Sequence, residues 1–315
     1  MGEIVELPPL QDSSSLEHLA GLETYLKSRV IGQDEAVRRV SRALESSELG
    51  LNDTGPRPKG SFLFMGPTGV GKTETSKAFN EYLFGKSKLS MFFMNEYQRA
   101  ESVPELVAGI RRAKNQHPNG TVFLFDEIEK AHPAIIDIFL SLLDEGQVTE
   151  GSERISLGDS YVVLTSNVGS RKFGQMEQTT YSVMEQFAYE AARKHLRPEM
   201  FARLTETVVY RPLGQDVQIQ ILHQMSSRKL AYLSQVLAEK LGYDLDDVPE
   251  LMIDEKSVKA HLLRRGFSTT GGARRLRQEL DRQFNAAVLP WIFKQVPPKE
   301  RCFYADVKNN CLVLR

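Results

Sequence analysis

Short apolar runs alternate with amphipathic stretches over residues 33–210 of the chain. Each run consists of β-branched, aromatic or aliphatic residues and is bounded by glycine, proline or polar residues, which is typical of a buried strand. Strands that alternate with helices predict a doubly wound α/β domain, in which helices cover both faces of a parallel sheet and the ligand binds at the carboxyl ends of the strands. The predicted strands are residues 61–65, 91–94, 121–125, 161–166 and 207–210, and the predicted helices are residues 33–50, 72–83, 103–113, 135–143 and 183–196.

The pattern changes after Pro212. A long amphipathic helix is predicted at residues 216–241, and two more helices follow it. Near the C-terminus, two short apolar runs on either side of an Asn-Asn pair predict a β-hairpin at residues 302–314. The predicted organisation is a flexible tail at residues 1–15, a large α/β domain at 16–213 and a smaller, mostly helical domain at 214–315.

The first predicted strand ends in a glycine-rich segment. Residues 66–73 read Gly-Pro-Thr-Gly-Val-Gly-Lys-Thr, which is the phosphate-loop pattern between a strand and a helix. Its glycines allow backbone N–H groups to turn toward a phosphate, Lys72 can reach the β- and γ-phosphates, and the Thr73 hydroxyl can bind Mg²⁺. The competing interpretation is a glycine-rich turn that contains a lysine by chance. The predicted nucleotide-binding residues of this segment are Pro67, Thr68, Gly69, Val70, Gly71, Lys72, Thr73 and Glu74.

A pair of carboxylates follows the third predicted strand. Asp126 and Glu127 stand where a buried apolar run ends, and such a position is costly unless positive charge lies nearby. ATP with Mg²⁺ would supply that charge, with Asp126 orienting the metal and Glu127 acting as the general base toward water. A pair of solvated acids in a turn is the alternative. The neighbouring polar residues are predicted to be surface and capping residues: Glu129, Lys130 and His132.

Composition narrows the class of protein. The chain has 315 residues, 40 basic against 41 acidic, so its net charge of −1 argues weakly against constitutive binding to bare nucleic acid. The two cysteines lack the spacing of a zinc site or a disulfide framework. A run of about 18 apolar residues, as needed to span a membrane, is not found, and the N-terminus does not resemble a secretory signal. The sequence therefore predicts a soluble, cytoplasmic protein.

Three segments carry a resemblance to a known family. They read Val-Ile-Gly-Gln-Asp-Glu-Ala-Val at 30–37, Gly-Ser-Phe-Leu-Phe-Met-Gly-Pro-Thr-Gly-Val-Gly-Lys-Thr-Glu at 60–74 and Phe-Asp-Glu-Ile-Glu-Lys-Ala-His-Pro at 125–133. From about residue 19 to the C-terminal hairpin, the chain resembles the second ATPase module of the Clp-family unfoldases and disaggregases, which are AAA+ proteins. The resemblance implies ATP hydrolysis with Mg²⁺ and a homo-oligomer, either a hexamer or an open spiral.

The resemblance also implies roles for residues that spacing alone does not single out. Val30 and Ile31 match the cradle for adenine. Asn167 matches the sensor-one residue that helps to position the attacking water, and Arg203 matches the arginine finger that reaches into the neighbouring subunit's site. Arg274 matches the sensor-two arginine, which contacts the γ-phosphate from the small domain.

The chain departs from the family in its substrate-handling parts. Threading Clp motors carry a Gly-aromatic-x-Gly loop between the second and the acidic strand, whereas residues 95–120 contain Tyr97 as their one aromatic residue. The second, plainer loop is retained at residues 144–151, and residues 169–197 lack a tripeptide that resembles the Clp protease docking loop. We therefore expect an ATP-driven motor that remodels a dedicated, unidentified protein partner without full threading and without Clp-type protease docking. The alternatives are a nucleotide switch that assembles on nucleic acid in a DNA-mobilising or defence system, and a threading disaggregase.

Overall fold

The computed structural model describes residues 13–52, 55–85, 89–173, 176, 179–241, 250–253, 255–266, 272–294, 302–308 and 311–314. The described residues divide into two compact units. One unit contains the residues up to Pro67 together with Gly71–Pro212, and the other contains Thr68–Val70 together with the residues from Leu213 onward.

The first unit is built around a five-stranded sheet with the order β2-β3-β6-β1-β7. All four pairings between neighbouring strands are parallel. Each of these strands was predicted from the sequence, and each observed end lies within one residue of the predicted one. The strands of this sheet are β1 (Gly60–Met65), β2 (Ser90–Phe93), β3 (Val122–Asp126), β6 (Tyr161–Ser166) and β7 (Glu206–Val209).

Helices accompany this sheet, and the five that the sequence predicts are confirmed with shifted ends. Two short helices at the start, α1 and α2, were not predicted. α1 begins at Ser13, within the segment predicted as a flexible tail, and residues 1–12 lie outside the described part of the chain. The helices of this unit are α1 (Ser13–Ala20), α2 (Leu22–Arg29), α3 (Asp34–Glu48), α4 (Lys72–Phe84), α5 (Val103–Gln116), α6 (Pro133–Glu145), α7 (Ser170–Phe173), α8 (Tyr181–Ala192) and α9 (Pro198–Phe201).

The segment predicted as the second, plainer loop, residues 144–151, contains the end of α6 and the first strand of a hairpin. β4 (Gln147–Glu150) pairs antiparallel with β5 (Glu153–Ser156), directly after α6 ends. Gly146 makes the bend with a φ of 61°, and a Cβ at this position would lie 1.9 Å from the carbonyl oxygen of Pro56. Only glycine fits such a close approach of two backbones.

The central strands are buried on both faces. β1 and β6 are buried at every position, and β3 is buried at all positions except Asp126, as expected of a covered parallel sheet. Register places the functional loops side by side, because Met65 pairs with Ser166 at the ends of β1 and β6. The loops that follow these strands therefore begin at the same edge of the sheet, with the end of β3 next to them.

The second unit combines helices with a small sheet. The predicted hairpin is confirmed, since β9 and β10 pair antiparallel, and β8, which the sequence analysis missed, pairs parallel with β9. None of the helices in the described part of the chain is long and apolar enough to cross a membrane. The elements of this unit are α10 (Gln215–Leu241), β8 (Glu250–Ile253), α11 (Glu255–Gly266), α12 (Gly272–Lys294), β9 (Cys302–Lys308) and β10 (Cys311–Leu314).

Candidate active site

The loop after β1 depends on glycine. Gly66 has a φ of 140°, and a Cβ there would lie 2.5 Å from the carbonyl oxygen of Tyr210. Gly71 is the N-cap of α4 with a φ of 117°, and its Cβ would lie 3.0 Å from Cγ1 of Val30. Both positions require a residue without a side chain. The helix N-terminus that follows carries partial positive charge, so the loop fits a phosphate group.

Lys72 is the first residue of α4, and its side chain turns back into the site. The residue is only 6% exposed. Its Nζ donates to the carbonyl oxygens of Gly66 at 2.5 Å and Pro67 at 2.8 Å, and to Oδ1 of Asn167 at 2.7 Å. A buried ammonium needs such partners. The same oxygens hold the cation at the mouth of the phosphate loop.

Glu127 leaves β3 in an unusual backbone conformation. Its φ of 61° and ψ of 54° make it the one non-glycine residue with positive φ among those described. This left-handed conformation costs about 1–2 kcal/mol for a residue with a Cβ, and it is found where surrounding contacts enforce it. The strain is therefore placed at the residue predicted to be the general base.

The carboxylate of Glu127 has two partners. Oε1 accepts a hydrogen bond from Nδ2 of Asn167 at 2.8 Å, and Oε2 forms an ion pair with Lys130. The hydrogen bond to Glu127 raises the pKa of Lys130 above its ordinary value. The structure thus gives an unbroken chain of contacts from Lys72 through Asn167 to Glu127, three residues that the sequence analysis assigned to one site.

Asn167 is itself held by a carboxylate. Its backbone N–H donates to Oε1 of Glu129 at 3.0 Å. The prediction that Glu129 is a surface residue is therefore wrong, because its side chain crosses from the end of β3 to the turn after β6. The predicted capping role of His132 is confirmed, since its Nδ1 accepts from the N–H of Ala134 at the start of α6.

The predicted adenine cradle lies between α2 and α3. Val30 is 4% exposed and packs against Gly71, as its close approach to that glycine shows, whereas Ile31 is partly exposed. Gln33, which is 2% exposed, exchanges two hydrogen bonds of 2.9 Å with the backbone N–H and carbonyl of Arg211. These two hydrogen bonds connect the segment between α2 and α3 to the segment that follows β7.

Three predicted nucleotide-binding residues, Thr68, Gly69 and Val70, fall in the second compact unit. There, the backbone N–H of Ala273 donates to the carbonyl oxygen of Gly69 at 3.0 Å. The predicted sensor-two residue, Arg274, follows Ala273 in the first turn of α12 and is exposed.

Two other predicted nucleotide-binding residues, Thr73 and Glu74, lie in the first turn of α4. Thr73 is partly exposed beside Lys72. The carboxylate of Glu74 lies 3.4 Å from the guanidinium of Arg29, which also pairs with Glu81 at 2.9 Å. Glu74 therefore faces α2, and its contacts link two helices.

Arg203 lies at the opposite edge of the sheet from the phosphate loop of its own chain. Its carbonyl oxygen accepts from the Ser61 hydroxyl at 3.2 Å, near the amino end of β1, whereas Gly66 follows the carboxyl end. At about 3.3 Å per residue, the backbones of Ser61 and Gly66 are roughly 16 Å apart. The guanidinium is bound to α6, with Nε 2.9 Å from Oδ2 of Asp144 and a nitrogen 3.2 Å from the carbonyl oxygen of Leu140.

Three polar residues of the site were not predicted from the sequence, and they lie within a buried strand or within the segments that resemble the family. Thr165 is a fully buried threonine in β6, Gln33 is a buried glutamine, and Glu129 is a carboxylate close to two others. A buried polar side chain needs a hydrogen-bond partner, so a threonine inside a predicted buried strand indicated that Thr165 makes a specific contact. The partner itself is a tertiary contact that spacing does not give.

Comparison with known proteins identifies a set of similar chains. A family model described as AAA domain (Cdc48 subfamily) matches residues 57–207. The chaperone protein ClpB of Vibrio cholerae is 36% identical over 281 residues, which cover 84% of this chain and 31% of that protein. ClpB 1 of Nostoc sp. is 32% identical over 315 residues, covering 95% of this chain and 34% of that protein, and the mitochondrial ClpB4 of Arabidopsis thaliana is 34% identical, covering 99% and 33%.

Among solved structures, a closed-state cryo-EM reconstruction of Hsp104:ATPyS and FITC casein is similar, with a TM-score of 0.78 and 26% identity. The similarity covers 98% of this chain and 54% of that one. The chain spans about a third of the length of the curated relatives it matches.

Proposed function

Because the chain contains an AAA+ ATPase module of the Clp family, we propose that it hydrolyses ATP as an oligomer and uses this energy to remodel a dedicated protein partner without full threading. The observation that carries the proposal is the chain of contacts from Lys72 through Asn167 to Glu127. Glu127 and Asn167 directly follow β3 and β6, Lys72 begins the helix after the loop that follows β1, and the three side chains meet at the carboxyl ends of these strands. The side-chain amide of Asn167 thus connects the ammonium group of Lys72 to the carboxylate of Glu127 through hydrogen bonds.

The residues present fit a magnesium nucleotide. The glycine backbone of the loop and Lys72 would hold the phosphates, and Thr73 with Asp126 would hold Mg²⁺ through oxygen atoms, which this ion prefers. When bound, ATP with Mg²⁺ supplies the phosphoryl group and neutralises the charge that develops on it. Val30 and Ile31 would enclose the base.

Glu127 is the residue that takes a proton. A carboxylate within reach of a water molecule can orient it and accept its proton, which contributes typically about 10²–10⁴-fold to a rate. Asn167 donates to Oε1 through Nδ2 and accepts from Lys72 through Oδ1, so its amide has a fixed orientation.

The position of Arg203 supports an oligomer. The residue is held beside the amino end of β1 and on α6, which favours a role at the site of a second subunit over a role at the phosphate loop of the same chain. An arginine at a phosphoryl-transfer site is worth about 10³–10⁵ in rate. A hexamer or an open spiral would supply such an arginine at each interface.

Remodelling without threading is supported by the surroundings of Tyr97. This residue is 8% exposed and belongs to the hydrophobic core, and its carbonyl oxygen accepts from the N–H of His132 at 3.0 Å. A side chain packed in this way is not free to grip a polypeptide. The nearest exposed aromatic residue is Phe93, which is 43% exposed at the end of the edge strand β2.

Replacing Lys72 by Ala is expected to weaken ATP binding by about 10- to 100-fold, because charge-assisted hydrogen bonds are worth about 1.5–3 kcal/mol each. Isothermal titration calorimetry with ATP and Mg²⁺ would measure the loss. Lys77→Ala is the matched control, since Lys77 is an exposed lysine on the same helix. Equal ATP affinity in both variants would contradict the assignment of the phosphate loop.

Unfolded casein is expected to leave the ATPase rate of the intact protein unchanged within about twofold, because a dedicated partner and not extended polypeptide is the proposed substrate. Coupled-enzyme assays with and without casein would show this, and Glu127→Gln protein held in ATP would be used to retain the partner from a lysate. Stimulation by casein that disappears in Phe93→Ser would instead establish a threading motor. Stimulation by DNA that falls steeply with salt would favour the nucleic-acid switch.

A further inference from the structure

One buried hydroxyl contacts both members of the acidic pair. Thr165 lies on β6 level with Asp126, because the register of the two strands pairs Phe125 with Leu164 one residue earlier. The hydroxyl donates to Oδ1 of Asp126 at 2.5 Å and accepts from the N–H of Glu127 at 3.1 Å. A hydroxyl has one proton to donate, so giving it to Asp126 leaves the lone pairs to face the Glu127 amide.

The contact is made in the core of the sheet. Thr165 is fully buried, on the strand that lies between β3 and β1. A threonine on a strand has a restricted χ1 angle, so its hydroxyl is held in a fixed direction. Both hydrogen bonds are therefore made to the C-terminal end of β3.

That exit is where the backbone is strained. A non-glycine residue stays in the left-handed region only when its neighbours hold it there, and the amide of Glu127 has Thr165 as its partner. The same turn brings the Glu127 carboxylate to Nδ2 of Asn167. Loss of the hydroxyl would leave the Glu127 N–H and one Asp126 oxygen without this partner while the shape of the core stays the same.

We propose that Thr165 is a positioning residue for ATP hydrolysis, which fixes the Asp126 carboxylate and the backbone turn that presents Glu127. The proposal rests on the ATPase function proposed above. Thr165 acts through the two acids, and its essential property is the hydroxyl and not its volume. Serine keeps the hydroxyl and lacks the methyl group, valine keeps the shape without the hydroxyl, and cysteine lacks the methyl group and has a weakly donating thiol in place of the hydroxyl.

The test compares Thr165→Val, Thr165→Ser and Thr165→Cys in steady-state ATPase assays. We expect Thr165→Val to lower kcat by about 10- to 100-fold, which corresponds to one hydrogen bond to a charged group. The KM for ATP should stay within about twofold, because the phosphate loop is not altered. The Mg²⁺ concentration for half-maximal rate should rise, since Asp126 loses its orientation. Thr165→Ser should restore most of the rate, with Thr165→Cys in between.

Thr207→Val is the matched control, because Thr207 is a buried threonine of the same sheet on β7, away from the acidic pair. It should leave kcat unchanged. A wild-type rate in Thr165→Val would overturn the proposal, as would a wild-type rate in Thr165→Cys if the valine variant does not fold. Loss of rate in Thr207→Val equal to that in Thr165→Val would also overturn it, because the effect would then be one of packing. The wild-type rate, measured in parallel, tests the ATPase function separately.

Discussion

Replacing Glu127 by Gln is expected to lower kcat for ATP hydrolysis by about 10²–10⁴-fold, while ATP affinity stays within about twofold. The amide has the same shape as the carboxylate and can still accept the hydrogen bond from Nδ2 of Asn167. It has no basic oxygen that could take a proton from water. The replacement therefore removes the chemical step and keeps the hydrogen bond from Asn167, while it loses the ion pair with the exposed Lys130.

Two measurements separate these effects. Phosphate release under saturating ATP reports the rate, and calorimetric titration with ATP and Mg²⁺ reports the binding. Glu101→Gln is the control, because Glu101 is an exposed carboxylate in the segment before α5 and the charge change is the same. If Glu127→Gln hydrolyses ATP at the wild-type rate, the base is another group. Loss of rate together with loss of ATP binding would instead mean that Glu127 shapes the nucleotide pocket.

The parts of the site that follow the chain locally could be predicted from the sequence. The loop at residues 66–73 follows a strand, contains several glycines and leads into a helix. These features are adjacent in the sequence, so the conformation of the loop and the class of its ligand could be predicted from local sequence. The acidic pair at 126 and 127 is equally local. Because the strands are parallel, both features are required to lie at the carboxyl ends of the sheet. The structure confirms this, since Met65 at the end of β1 pairs with Ser166 on β6 and Phe125 near the end of β3 pairs with Leu164 on the same strand.

The contacts that orient these residues could not be predicted, because they join positions far apart in sequence. Thr165 and Asp126 meet only through the register of β3 and β6, and Glu129 reaches Asn167 from the turn that follows β3. Gln33 binds the backbone of Arg211, 178 residues away. The hairpin at 147–156 was missed for a different reason, since its strands are short and polar and pair with each other outside the main sheet.

Replacing Arg203 by Ala is expected to lower the ATPase rate by about 10³–10⁵-fold with ATP binding retained. Because Asp144 and the end of α6 hold the guanidinium at the amino end of its own sheet, we expect it to act at the site of a neighbouring subunit. Arg57→Ala is the matched control, because Arg57 also pairs with Asp144, at 3.3 Å, and is exposed. Its removal breaks an ion pair with the same carboxylate and should leave the rate unchanged within about twofold.

Action in trans is tested by mixing. Arg203→Ala subunits have an intact phosphate loop and Lys72→Ala subunits have an intact Arg203, so each alone is inactive, whereas an interface between the two can hold a complete site. Recovery of hydrolysis on mixing is therefore expected. The wild-type rate per subunit should also rise with protein concentration, in step with assembly followed by light scattering. A rate per subunit that is independent of concentration in a monomeric sample would contradict the trans role, because Arg203 of a lone chain is held beside Ser61 and on α6 and not at its own phosphate loop.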